Sequence, residues 1–372
     1  MKVMTIVGTR PEIIRLSRVI ARLDATPGIE HVLVHTGQNY DYSLNQVFFD
    51  DLGLRAPDYY LGVDTSSLGA VLGGVLVETE KALLRERPDA VLVLGDTNSC
   101  IAVVMAKRMR IPTFHMEAGN RCFDERVPEE TNRRLVDHTA DFNLVYTEHA
   151  RRNLLAEGLH PSRIMLTGSP MREVLEHYRP QIEGSDIVEK LGLVDNGYFL
   201  VSAHREENVD NAQRLEQLVE SLLAVERAFG LPVVVSTHPR TRKRLDARGA
   251  DLSGADIRWM EPFGFHDYNK LQLSARCVLS DSGTISEESA ILGFPAVTLR
   301  DSIERPEALD AGAIVTVGLG AEHVLGGIRC VEDTSFHHLP HEYLVKDTST
   351  RVVRFLHSTV RAQPDGREQR AR

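Results

Sequence analysis

The feature that most limits how this chain can fold is an alternation between short apolar runs of strand length and longer amphipathic stretches. Runs rich in Val, Ile and Leu fall at 3–7, 31–34, 90–94, 113–116, 142–146 and 164–166. Apolar runs of this length, bounded by polar residues, suit strands buried on both faces. Between the first two runs, Ile13, Leu16, Ile20 and Leu23 mark one face of a helix, and Pro11 fits its first turn. Strand, helix and strand in this order predict a parallel sheet covered by helices. The pattern restarts at 199–201, 233–236, 257–260, 277–279, 296–299 and 314–317, with helical stretches such as 212–228 between the runs. A chain of 372 residues has room for two domains at roughly 150 residues each. We therefore expect an α/β protein of two doubly wound domains with a cleft between them. The joining stretch, 168–197, carries a helical piece and then Pro180, Gly184 and Asp195-Asn196-Gly197, which look like turns. Residues from about 362 to 372 are polar, lack periodicity and read as a frayed tail.

Charge narrows the partners. The formal net charge is −10 and no dense Lys/Arg block occurs, so nucleic acid is not expected, while a small anionic substrate remains open to a local basic pocket. The run 3–7 meets Gly8-Thr9-Arg10 at once. It is too short and too soon charged for a signal peptide or a membrane helix, so no membrane partner is expected. Cys100, Cys122, Cys277 and Cys330 show no metal-type spacing, and a cytoplasmic, reduced setting is the simplest reading.

Ligands of open parallel sheets gather at the carboxyl ends of the strands, so the polar residues that follow each run are the candidates. In the first half these are Gly8-Thr9-Arg10, Gly95-Asp96-Thr97 and Glu117, with Arg121 nearby. In the second half they are His204-Arg205, His238, Asp281-Ser282-Gly283 and Arg300-Asp301. Asp96 also suits a turn or a helix cap. Glu117, set against a buried strand, needs a partner or a task. Asp281-Ser282-Gly283-Thr284, a strand end followed by a helix, is the strongest anion-site candidate, since a helix N-terminus favours phosphate. Glu287 and Glu288 fit the dipole of that helix, or a ribose hydroxyl. The charged segment 126–134 also suits an exposed helix start, and Arg300, Glu304, Arg305 and Glu307 also suit a solvated ion-pair cluster. The chain has no GxGxxG opening its first domain, no Walker A loop, no Cys-x-x-Cys and no Gly-x-Ser-x-Gly. Hydride transfer, ATP hydrolysis, acyl transfer and a metal site therefore find little support. The residues alone point to a two-domain α/β enzyme acting on a nucleotide-linked substrate.

The ordered set is more specific than its parts. Gly8-Thr9-Arg10-Pro11-Glu12, Gly95-Asp96-Thr97, His115-Met116-Glu117-Ala118-Gly119, Pro128-Glu129-Glu130-x-Asn132-Arg133, Asp281-Ser282-Gly283 and Glu304-Arg305-Pro306-Glu307 occur in that order. Together they resemble the non-hydrolysing UDP-N-acetylglucosamine 2-epimerase family, over nearly the whole chain from Lys2 to about His357. The resemblance implies a glycosyltransferase-B-like architecture of two Rossmann-like domains. The N-terminal one would span 1–168 and regain a returning helix at about 349–360, and the UDP-binding one would span 185–345. It implies catalytic roles for Asp96, Glu117, Glu129 and His204. It implies substrate contacts for Arg10, Arg15, His238, Ser282, Gly283, Glu288 and Arg305. It also implies a UDP-linked N-acetyl-hexosamine as substrate, UDP as the group that leaves and returns, a homodimer, and no cofactor.

Three departures accompany the likeness. Arg15 stands where the pattern usually has lysine, which keeps the charge and changes its reach. The turn continues Thr284-Ile285-Ser286-Glu287-Glu288 where Gly-Gly-Ile-Gln is commoner. Asn39 follows Gln38 where the best-known branch has a histidine associated with activation by a second substrate molecule. Segments 35–42, 116–124 and 204–210 are closer to the branch that forms UDP-N-acetyl-L-fucosamine from a 6-deoxy-talose sugar, so that substrate is the alternative to UDP-N-acetylglucosamine.

Overall fold

The computed structural model describes residues 1–37, 49–125, 127–237, 254–332 and 339–362. The chain divides into two compact units, one formed by 1–176 with 344–372 and the other by 177–343.

In the first unit, strands β1 (Lys2–Val7), β2 (Glu30–His35), β3 (Tyr59–Tyr60), β4 (Ala90–Leu94), β5 (Thr113–Met116), β6 (Phe142–Val145) and β7 (Ile164–Leu166) form one sheet. Their order is β3-β2-β1-β4-β5-β6-β7 and every pairing is parallel. β1 pairs with β2 on one side and β4 on the other, so the strand order reverses there, at the place where open sheets bind ligands. All five residues of β4 are buried, as an apolar run without alternation requires when helices cover both faces. β3 has no apolar run to announce it. Its two tyrosines pair with Val34 and His35, and the edge is extended by the neighbour's register rather than by local preference.

The helix Thr348–Ala362 belongs to this unit. Phe355 sets its ring edge-on against Phe114 and Phe142, with centroids 6.0 and 5.6 Å away. Thr348 Oγ1 donates to the Ser169 carbonyl at 3.1 Å, and Ser349 N donates to Glu173 at 2.8 Å. These bonds fix the start of the helix while the aromatic contacts anchor its apolar face.

In the second unit, β8 (Phe199–Ser202), β9 (Val233–Ser236), β10 (Ile257–Met260), β11 (Cys277–Ser280), β12 (Ala296–Thr298) and β13 (Val315–Thr316) follow the order β10-β9-β8-β11-β12-β13, again all parallel. The helix Ala212–Phe229 covers one face, burying Leu215, Leu218, Leu222 and Val225. Asn211 caps it by accepting from the backbone N–H groups of Gln213 and Arg214 at 2.9 and 3.2 Å. The sequence suggested a turn at Pro180. Instead, Pro180 lies in the first turn of the short helix Arg179–Glu183, where its missing N–H leaves no bond unmade. Both units are Rossmann-like, the composition of the glycosyltransferase-B-like fold class. Among the described residues, no helix is long and apolar enough to cross a membrane.

Candidate active site

Two groups of charged side chains sit at the carboxyl ends of the strands, one in each unit. In the first unit the turn after β1 is held by Glu12. Its carboxylate, 1% exposed, accepts from the backbone N–H groups of Gly8 and Thr9 at 2.6 and 2.7 Å. It also accepts from Thr97 Oγ1 at 2.6 Å and from the Ser99 hydroxyl. One buried carboxylate thus ties the β1 turn, which carries Arg10, to the β4 turn, which carries Asp96. Burial pushes the Glu12 carboxyl above its usual range, against the pull of these hydrogen bonds.

Glu117 follows β5 directly. Its φ is +63°, in the left-handed region that non-glycine residues rarely adopt. It is 7% exposed, and Arg15 Nη1 donates to its Oε2. A Cβ placed on Gly95 would stand 4.0 Å from the same oxygen, so Glu117 is turned toward the β4 turn. Asp96, the next residue of that turn, binds Arg133 Nη2 at 2.5 Å, and its carbonyl accepts from Asn132 Nδ2 at 2.9 Å. Glu129 lies half-buried in the first turn of the helix Pro128–Thr139. Its neighbour Glu130 is buried and binds Arg133 Nη1 at 3.0 Å.

A fully buried network holds the loop that carries Glu117. Asp137 accepts from the Gly119 backbone N–H at 3.1 Å and from Arg121 Nη1 at 2.7 Å, and it sits 2.9 Å from His115 Nδ1. His115 Nε2 lies 2.7 Å from the Gly95 carbonyl. Arg121 completes a two-point contact with Glu157, both distances being 2.7 Å. His115, Arg121 and Asp137 have no exposed side-chain surface. A buried charge persists only when it is paired and hydrogen-bonded, and this one fixes the backbone on both sides of Glu117.

In the second unit His204 follows β8 and Asp281 follows the adjacent β11. Asp281 is fully buried and accepts from the backbone N–H groups of His204 and Arg205 at 3.1 and 3.0 Å and from Asn208 Nδ2 at 3.0 Å. The His204 ring, 46% exposed, places Nδ1 3.3 Å from Asp281 Oδ1. The Asp281-Ser282-Gly283-Thr284 turn leads from β11 into the helix Ile285–Leu292. Its aspartate faces inward and supports His204, while Ser282 and Thr284 join hydroxyls at 2.9 Å. Gly283 remains near a cation, since a Cβ there would meet Arg205 Nη2 at 3.5 Å.

Glu288 is buried and accepts from Gln272 Nε2 at 2.7 Å. Arg305, 3% exposed, pairs with Glu287 at 2.8 Å, and Arg300 pairs with Glu304 at 2.5 Å. The cluster 300–307 is thus an interior ion-pair network rather than a solvated one. Arg10 is half-buried. His238, with Gln38 and Asn39, lies outside the described residues, as do 363–372. Among the described residues no group of His, Cys, Asp and Glu has the arrangement of a metal site.

The sequence brought out Asp96, Glu117 and His204 through their place after apolar runs. It gave no role to Glu12, Asp137 or Arg133. Glu130, Arg133 and Asp137 share a buried face of one helix, and charged residues at that spacing were the available signal.

Two Rossmann-like sheets, each ending in acid and guanidinium side chains, carry more ionisable groups than binding alone requires, as suits an enzyme of the α/β class. The chain matches the family model described as UDP-N-acetylglucosamine 2-epimerase over residues 21–357, and it belongs to that family, whose members are isomerases. It is similar to a UDP-N-acetylglucosamine 2-epimerase structure from Rickettsia bellii, at 46% identity, with 97% of each chain covered and a TM-score of 0.89. It is also similar to Methanocaldococcus jannaschii UDP-GlcNAc 2-epimerase in complex with UDP-GlcNAc and UDP, at 36% identity, 96% of this chain, 100% of that one and a TM-score of 0.90. A third relative, at 34% identity over 88% of this chain and 92% of its own, is the UDP-2,3-diacetamido-2,3-dideoxy-D-glucuronate 2-epimerase of Pseudomonas aeruginosa.

Proposed function

We propose that this chain interconverts UDP-N-acetylglucosamine and UDP-N-acetylmannosamine by eliminating and re-adding UDP. The observation that carries the reading is Glu117, held at the end of β5 on left-handed backbone and paired with Arg15. The hydrogen on carbon 2 is not acidic while carbon 1 keeps its leaving group. As the C1–O bond to UDP breaks, positive charge develops at carbon 1 and that hydrogen becomes removable by a carboxylate. Its bonding pair becomes the C1–C2 double bond of a glycal. A proton delivered to the opposite face of carbon 2, with return of UDP to carbon 1, gives the epimer. The chemistry needs a base, an acid and cationic support for the diphosphate.

Asp96, Glu117, Glu129 and His204 supply the proton-transfer types. Arg10 and Arg15 supply the charge, and Ser282, Gly283, Glu288, His238 and Arg305 hold the UDP. The spacing of the four cysteines in the sequence, with no pair close together, supports a cytoplasmic setting, and the family likeness supports a homodimer.

A second reading keeps the chemistry and changes the sugar to UDP-2-acetamido-2,6-dideoxy-L-talose, favoured by segments 35–42, 116–124 and 204–210. Pocket changes of one hydroxyl decide such choices. Anion-exchange separation of products after incubation with UDP-N-acetylglucosamine alone tests the first reading. A mixture of two UDP-sugars is expected. Free sugar and UDP would mean hydrolysis instead, and turnover of the deoxy-talose sugar alone would select the second reading.

A further inference from the structure

We propose that Asp281 is the positioning residue for His204, fixing its imidazole as the Nδ1–H tautomer with Nε2 presented for proton transfer. The inference rests on the catalytic reading of His204. β8 and β11 are neighbours in register, with Ser202 opposite Ser280, so the residues that follow them emerge side by side. Asp281 is fully buried and spends its oxygens on donors from a single short segment: the His204 and Arg205 backbone N–H groups and the Asn208 side chain. A buried carboxylate directed only at a strand end holds that strand end in place. The one ring atom of His204 that faces it is Nδ1, at 3.3 Å, a contact able to tighten when a ligand is bound.

A carboxylate at Nδ1 can only accept, so Nδ1 carries the hydrogen and Nε2 carries the lone pair. The ring is nearly half exposed, which leaves Nε2 accessible. Arg205 adds to the arrangement, because its Nε donates to the Asp281 carbonyl at 3.1 Å. The aspartate thus anchors the imidazole on one side and a guanidinium beside Gly283 on the other.

Asp281→Asn keeps the size and one acceptor oxygen, and loses the carboxylate that selects the tautomer. Nitrogen NMR of the full-length chain with labelled histidine reads the tautomer without any substrate. Wild type should show Nδ1–H at His204. The D281N variant should show Nε2–H or a mixture, with kcat for epimerisation about tenfold or more below wild type and KM little changed. A wild-type Nε2–H signal would overturn the proposal even if D281N does not fold. So would an unchanged tautomer in D281N, or a shifted tautomer with unchanged kcat. Full activity in His204→Asn would instead defeat the catalytic reading of His204, and the wild-type tautomer would still report on Asp281.

Discussion

Replacing Gly119 with alanine should damage the protein through the loop that carries Glu117. Gly119 has φ +79°, and an alanine there gives up about 1–2 kcal/mol to the left-handed conformation. A Cβ would also overlap the Ala150 carbonyl oxygen and stand 2.9 Å from that carbonyl carbon and 3.0 Å from Leu154 Cγ. Those atoms are helix backbone and buried core, and neither can swing aside as a flexible side chain does. Overpacking of this kind costs a further ~1–3 kcal/mol. The total, about 2–5 kcal/mol, corresponds to roughly 2–4 °C of melting temperature per kcal/mol in a unit of this size.

Gly158 supplies the control. It has φ +86° and nothing within 4 Å of its notional Cβ, so Gly158→Ala carries only the backbone term. Thermal melts of the two variants and the wild type, followed by circular dichroism, give the comparison. Gly119→Ala should melt well below Gly158→Ala and lose most epimerase activity, because the 117–121 loop must move. Equal melting temperatures, or wild-type activity in Gly119→Ala, would refute the argument that this close approach fixes the loop.

Three other outcomes follow from the site. Glu117→Gln and Asp96→Asn should each lower the epimerisation rate by about 10²–10⁴-fold while calorimetry still detects UDP binding. Arg121→Met should cost about 3–5 kcal/mol in urea unfolding, because it removes the guanidinium that pairs with the buried Asp137 carboxylate. Burial raises the Glu307 carboxyl, whose Oε1 accepts from Tyr343 at 2.7 Å. The folded state therefore holds that proton after the unfolded chain has lost it, and the contribution to stability falls as pH rises from the ordinary carboxylate range through the raised value. Glu307→Gln keeps an acceptor for Tyr343, so its melting temperature relative to wild type should climb with pH across that window. A flat difference would refute the assignment.

The sheets were legible because strands buried on both faces must be apolar throughout. Ala90–Leu94 and Val233–Ser236 stand where their composition places them. The Tyr59–Tyr60 strand was not legible, since two residues acquire their conformation from the pairing of Val34 and His35. The same division holds in the site. Asp96, Glu117 and His204 follow apolar runs, so the rule that ligands meet strand ends finds them. Asp281 follows one too, but its position does not say which way the side chain turns, and it turns inward to His204. The His115–Asp137–Arg121 network joins a strand, a helix and a loop across more than twenty residues of sequence. Only the folded chain brings those groups together.

The measurement nearest to the central claim is proton NMR of UDP-N-acetylglucosamine incubated with the purified protein in heavy water. The account predicts the manno epimer with deuterium at carbon 2, and deuterium in recovered substrate as well, since the proton leaves and returns through groups that exchange with solvent. Epimer that keeps its original hydrogen at carbon 2, or no epimer from this sugar or the 6-deoxy-talose one, would contradict it.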